Sequence, residues 1–134
     1  MDIQNKILTR GGDFIVRDTN CEEIFTPEDF NDEQKMMREA VKEFADKEIW
    51  SKKHEFEKHN YELTEKVIEK AGNLGFLGVG VPEEYGGLGM PLTSSVLVCD
   101  YFSGSSGSTS TAFGAHTGIG TMPVSKASSK DDLH

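Results

Sequence analysis

Between residues 37 and 49 the apolar side chains fall at Met37, Ala40, Val41, Phe44, Ala45 and Ile49, with charged residues in between. Steps of three and four lay these positions along one stripe, which predicts an amphipathic helix ending near Trp50. Two start signals precede it. Thr26-Pro27-Glu28-Asp29 puts proline at a first helical position behind a threonine cap, and Asn31-Asp32-Glu33-Gln34 repeats the cap, with Gln three residues after Asn. Leu63, Val67, Ala71 and Leu74 predict a second helix, ending near Gly72 or Gly75. Pro91-Leu92-Thr93 opens a third, with Leu92, Val96, Cys99 and Phe102 on one face. The segment 51–60, SKKHEFEKHN, is expected to be a polar connection. Ser103 to Ser110 has the composition of a flexible linker, but the apolar and small residues after it argue for helix. The sum is an all-α domain, with a short strand or extended piece around Leu77–Val81 and an extended N-terminal arm over residues 1–24.

The 134 residues fit one domain with one core. The formal net charge of −9 makes nucleic acid and anionic membranes unfavourable partners. No apolar run approaches the roughly 20 residues of a membrane helix, and MDIQNKILTR has no signal-peptide core, so a cytoplasmic protein is expected. Cys21 and Cys99 form no CxxC and are expected to be reduced thiols.

Three stretches invite a chemical reading and do not sustain it. GNLGFLGVGVPEEYGGLGM, residues 72–90, is dense in glycine, yet it lacks the G-x-G-x-x-G order between strand and helix that a dinucleotide needs. No lysine lies between Lys70 and Lys126, so it is not a P-loop either. Tight turns are the simpler reading. His54 and His59 flank an acidic run but stand five apart, diverging by roughly 140° on a helix that turns about 100° per residue. A zinc pair requires a spacing of four. His116 sits among small and apolar residues without an identifiable nucleophile, and reads as a hydrogen-bonded structural histidine. A hydrolase built on it would lack a G-x-S-x-G elbow.

Taken in order, other motifs carry a specific signal. Phe25-Thr26-Pro27-Glu28-Asp29-Phe30 is followed by the charged helix, then by Ala71-Gly72-x-Leu74-Gly75-x-Leu77-Gly78. Next come Val81-Pro82-Glu83-Glu84-Tyr85-Gly86-Gly87-Leu88-Gly89 and Phe113-Gly114-Ala115-His116-Thr117-Gly118-Ile119-Gly120. This arrangement resembles the helical N-terminal domain of the acyl-CoA dehydrogenases, from about residue 10 to Val124. The leader Arg10-Gly11-Gly12-Asp13-Phe14 resembles that of a bacterial-type branch. The resemblance implies an N-terminal arm over 1–24, the helical, bundle-like domain over 25–124 and an atypical tail over 125–134.

The resemblance also implies a flavin enzyme. The family oxidises acyl-CoA to enoyl-CoA with FAD, using a glutamate base, and passes electrons to an electron-transferring flavoprotein. Its members are usually homo-oligomers, with β- and C-terminal domains that hold most of the flavin and, in most members, the base. Thr111, Ala115 and Ile119 recur at i, i+4, i+8, with Ala112 and Gly118 beside them. The resemblance places the acyl-chain channel on this helix; close helix packing is the other reading of these small residues, and the two are compatible. A medium-to-long or branched acyl group is expected. The tail after Val124 has no family counterpart, so the 134-residue chain is expected to be inactive alone, to hold FAD only weakly and to expose an apolar face that favours self-association. A non-catalytic helical interaction module derived from the domain is the alternative, and it predicts polar residues on that face.

Overall fold

A computed structural model of the protein describes residues 8, 9 and 11–127, without the Lys126 side chain. Arg10 of the expected leader and residues 128–134 of the expected tail lie outside the described residues. The chain divides into two compact units, Met1–Lys35 and Met36–His134.

In the first unit, α1 (Asp13–Val16) is a single turn entered through Gly12 at φ 93°. The Thr9 amide donates to the Glu23 carbonyl at 2.8 Å, and the Arg17 guanidinium meets the Asp13 and Glu23 carboxylates at 3.4 and 3.3 Å. The expected extended arm is therefore broken by a helical turn. Of the two cap patterns, the second begins the long helix. Pro27–Asp29 forms only a 3-10 turn, closed by the Asp29 carboxylate accepting from the Thr26 amide at 2.8 Å, and Phe30 then leaves it in an extended conformation. Asn31 and Gln34 next cap each other: the Asn31 side chain accepts from the Gln34 amide at 2.8 Å, and the Gln34 side chain from the Asn31 amide at 3.1 Å. Helix α2 (Asp32–Phe44) starts there.

The second unit carries the hydrophobic core. Helix α2 buries Val41 and Phe44 as its stripe predicts, half-buries Met37 and leaves Ala40 exposed. The helical path then widens into a π-helical turn, Ala45–Ile49. The extra residue in that turn carries Ile49 fully into the core and leaves Glu48 at the edge, where its carboxylate accepts from Lys52 at 2.7 Å and Lys70 at 2.8 Å. Both ammonium groups hold the Glu48 carboxyl below the ordinary carboxylate range.

The segment expected as a polar connection is helical instead. A 3-10 turn at Trp50–Lys52 leads into α3 (Lys53–Glu57), whose Phe56 is buried in the core. One large apolar residue in a charged run gives no periodicity to detect. His59, at φ 58°, reverses the chain, and the Asn60 side chain caps α4 (Tyr61–Asn73) by accepting from the Leu63 amide at 3.1 Å. Val67 and Ala71 face inward as expected, whereas Leu74 is exposed and the helix ends through Gly75 at φ 81°.

Residues 76–90 contain no strand. Two 3-10 turns, Phe76–Gly78 and Glu83–Tyr85, replace the expected extended piece. Carbonyls of the first half meet amides of the second: Gly78 accepts from Leu88 at 3.0 Å, Val79 from Met90 at 2.9 Å and Val81 from Gly89 at 2.8 Å. Gly87 lies so close to this strand-like edge that an added Cβ would stand 2.1 Å from the Val81 carbonyl oxygen.

Helix α5 (Leu92–Ser105) keeps only the second half of its predicted face inward, with Phe102 buried and Cys99 packed against the core. Ser94, Leu97, Val98 and Phe102 are buried, while Leu92 and Val96 point outward. Both stripes of α5 are apolar, so pattern alone does not choose between them. Ser106, extended at φ −160°, breaks the chain into α6 (Gly107–Gly114), and a Ser103–Ser110 hydroxyl pair at 3.0 Å braces the corner. The serine-rich stretch is thus a tight helix junction, not a linker. After α6 comes a second π-helical segment, Ala115–Thr121, and then α7 (Met122–Ala127). Four aromatic rings cross the core in sequence: Phe76 to Phe44 at 5.5 Å, Phe44 to Phe102 at 5.7 Å and Phe102 to Phe113 at 4.3 Å.

Three stability outcomes follow from this packing. Phe102→Ala should cost about 3–5 kcal/mol in chemical denaturation, and Leu92→Ala less than about 0.5 kcal/mol. Gly87→Ala should lower the melting temperature sharply, whereas Gly86→Ala, with open space at its Cβ but φ at 82°, should cost only about 1 kcal/mol. Glu48→Gln should cost about 0.5–1 kcal/mol at neutral pH, after allowance for solvent screening. Because the folded-state pKa is the lowered one, this stabilisation is present above the ordinary carboxylate pKa and is lost as the pH falls through the folded value. Denaturation curves of the two proteins should therefore converge in acid.

Candidate functional site

The segment with the proposed site residues runs through α6 and the second π-helical stretch. Phe113 anchors it by stacking on Phe102, and the Thr117 hydroxyl donates to the Phe113 carbonyl at 2.9 Å. Gly120 stands five residues after Ala115, the spacing of a π turn, and a Cβ there would come 3.1 Å from the Ala115 carbonyl oxygen. Glycine thus makes room for the wide turn. Such turns are frequent at functional sites, and no residue pattern in this stretch distinguishes one from an ordinary helix.

The five site candidates separate on this scaffold. Thr111, Ala115 and Ile119 are all exposed, Ile119 at 81%, and the Thr111 hydroxyl donates to the Gly107 carbonyl at 2.9 Å. Ala112 is half-buried beside them. Gly118 borders a different space. It lines an apolar groove of about 260 Å³ with Gly114, Thr117 and Met122 on one wall and Val96 and Cys99 of α5 on another. The outward stripe of α5 therefore forms a groove wall, a role its sequence did not separate from core packing.

A second cleft, of about 670 Å³, runs between the PEEYGG turn and the π-helical segment. Tyr85 and Glu84 stand on one side, and His116, Thr121 and Ser125 on the other. His116 is exposed at this cleft. His54 faces Glu57 at 3.4 Å with its side chain 93% exposed, and His59 lies in the left-handed turn against Tyr61.

The glycine loop spends its donors on itself. The Gly75 amide bonds the Gly72 carbonyl, Gly78 bonds Gly75, Gly86 bonds Glu83, Gly87 bonds Pro82 and Gly89 bonds Val81, all between 2.8 and 3.2 Å. A phosphate cradle needs such amides free and convergent. This loop does not fit the pyrophosphate of a dinucleotide, FAD included. No helix among the described residues is long and apolar enough to cross a membrane.

Comparison with known proteins matches residues 31–132 to the family described as acyl-CoA dehydrogenase, N-terminal domain. A probable acyl-CoA dehydrogenase of Bacillus subtilis (strain 168) is 41% identical over 115 residues, covering 86% of this chain and 19% of that relative. The mitochondrial isovaleryl-CoA dehydrogenase of Solanum tuberosum is 36% identical over 91 residues, covering 67% of this chain and 22% of the relative. The crystal structure of an acyl-CoA dehydrogenase complexed with FAD from Bacillus anthracis superposes with a TM-score of 0.76 at 38% identity, over 85% of this chain and 20% of that one. The chain spans about a fifth of the length of these relatives. The chain belongs to the acyl-CoA dehydrogenase family, with residues 31–132 matching its N-terminal domain.

Proposed function

We propose that this chain is the helical N-terminal part of an FAD-dependent acyl-CoA dehydrogenase, and that its task is to wall the acyl-chain channel. The observation that carries this reading is the exposed face of small and apolar residues at Thr111, Ala115 and Ile119, flanked by Ala112 and Gly118, on a segment matched to the family. In the complete enzyme an acyl-CoA is oxidised to the enoyl-CoA, and the flavin supplies the hydride acceptor. The residues of this chain do not touch the reacting carbons; they give the alkyl tail an apolar wall and keep water from it. Each methylene so buried contributes about 0.8 kcal/mol. The open Cβ space at Gly114 and Gly118 favours a medium-to-long or branched tail. Electron-transferring flavoprotein as the acceptor, a homo-oligomeric enzyme and a cytoplasmic location complete the reading.

As a 134-residue polypeptide the protein does not turn over acyl-CoA. The self-bonded amides of the glycine loop support weak flavin binding, and Glu83 and Glu84 belong to the loop rather than to a base position. Against the interaction-module reading stand Leu92, Val96, Ile119 and Val124, which are apolar and exposed where that reading needs polar residues.

Replacing the corresponding segment of the Bacillus subtilis relative by residues 31–127 provides the test. Thr111→Gln or Ala115→Glu in that chimera should shift the kcat/KM optimum by about two methylenes to shorter acyl groups, roughly a tenfold loss on the longest substrate. An unchanged chain-length profile would contradict the channel. The separate 134-residue chain, supplied with FAD and octanoyl-CoA, should give no enoyl product; turnover would overturn its inactivity.

A further inference from the structure

The helical path that carries the proposed channel wall changes its winding partway along. Gly107–Gly114 is α-helical, Ala115–Thr121 is π-helical and Met122–Ala127 is α-helical again. Thr111 precedes the change, Ala115 opens it and Ile119 lies inside it. An α-helix turns about 100° per residue, so a four-residue step overshoots a full turn by about 40°. On one continuous α-helix Ile119 would stand about 80° round from Thr111. A π turn closes over one residue more and so turns less per residue. The step from Ala115 to Ile119 thereby loses its overshoot, and Ile119 stays close to the line of Thr111 and Ala115.

The upstream end of the segment is fixed, because buried Phe113 stacks on Phe102 at 4.3 Å and its carbonyl accepts from the Thr117 hydroxyl at 2.9 Å. A change of winding must therefore move the residues after Ala115. Gly120 is where the sequence meets the wide turn. An added Cβ there would stand 3.1 Å from the Ala115 carbonyl oxygen, five residues back, whereas at Gly114 and Gly118 it would meet nothing within 4 Å. Alanine is also the better residue for an ordinary α-helix. Both effects of a side chain at 120 thus favour α over π winding. We infer that Gly120 is a positioning residue for acyl-chain selection: by permitting the π turn, it keeps Ile119 in line with Thr111 and Ala115 on the channel wall. Gly120 acts through Ile119 and need not touch the tail itself. The inference deepens the channel reading and rests on it.

The Bacillus subtilis relative carrying residues 31–127 tests this through Gly120→Ala, with Gly104→Ala as the control. Position 104 lies on α5 and also leaves a Cβ in open space. Crystal structures should show π winding over 115–121 in the parent and in Gly104→Ala, and α winding in Gly120→Ala. The ratio of kcat/KM for octanoyl-CoA to that for butanoyl-CoA should fall about fourfold in Gly120→Ala, the worth of one buried methylene, because the longer tail loses its contact with Ile119. Gly104→Ala should leave the ratio unchanged. A merely structural role for Gly120 would lower the melting temperature, or both kcat/KM values alike, and would leave the ratio as it was. Ile119→Ala should lower the ratio to a similar extent with the π turn intact, and this variant decides the matter if Gly120→Ala does not fold. Retention of the π turn in Gly120→Ala, or an unchanged ratio in either Gly120→Ala or Ile119→Ala while Thr111→Gln still shifts the chain-length profile, would overturn the inference and leave the channel standing. An unchanged profile in Thr111→Gln as well would show that the channel reading has failed, and the inference falls with it.

Discussion

Phe102 is the residue on which the second unit closes. Its ring lies 4.3 Å from Phe113 and 5.7 Å from Phe44, and Phe44 in turn meets Phe76 at 5.5 Å. Each ring comes from a different part of the chain: α2, the turn after α4, α5 and α6. Aromatic pairs in offset geometry add about 0.5–1.5 kcal/mol to the area they bury, and the arrangement is intolerant of displacement. Phe102 enters the core together with Ser94, Leu97 and Val98, while Leu92 and Val96 point away.

That choice has consequences at the surface. Phe113 clamps the start of the π-helical segment, while glycines at 114, 118 and 120 leave the segment open and wide. The outcome is a rigid inner side and a smooth, uncharged outer side, on which small residues stand exposed. An alkyl chain needs a wall of that kind, since it offers area without competing polar groups. The glycine loop contributes differently. Gly87 packs against the Val81 backbone and the loop bonds its own amides, so it orders the approach to α5.

Much of α2 was legible because its cap and its one-sided stripe agree, and α4 from its stripe alone. Asn31 with Gln34 marks a helix start that the structure keeps, whereas the Asn60 cap of α4 lay in a run read as a polar connection. Motif order was enough for the family. Three features escaped. Phe56 sits alone in a charged run, where no period can form. Helix α5 is apolar on two faces that share Phe102, so pattern alone does not separate them. The π turns at 45–49 and 115–121 depend on one inserted residue each, which a period of 3.6 cannot register. The row of small residues at 111–119 was legible as a candidate, but its division between an outer face and a groove needed the packing of α5 against α6.

The central claim is that the outward face of residues 111–119 lies against an acyl chain. Photolabelling tests it most directly, with an octanoyl-CoA carrying a diazirine near the tail end, bound to an acyl-CoA dehydrogenase into which residues 31–127 have been grafted. Peptide mapping should place the label within residues 111–119. Label confined to the cleft between Tyr85 and His116, or absent from this segment altogether, would contradict the account.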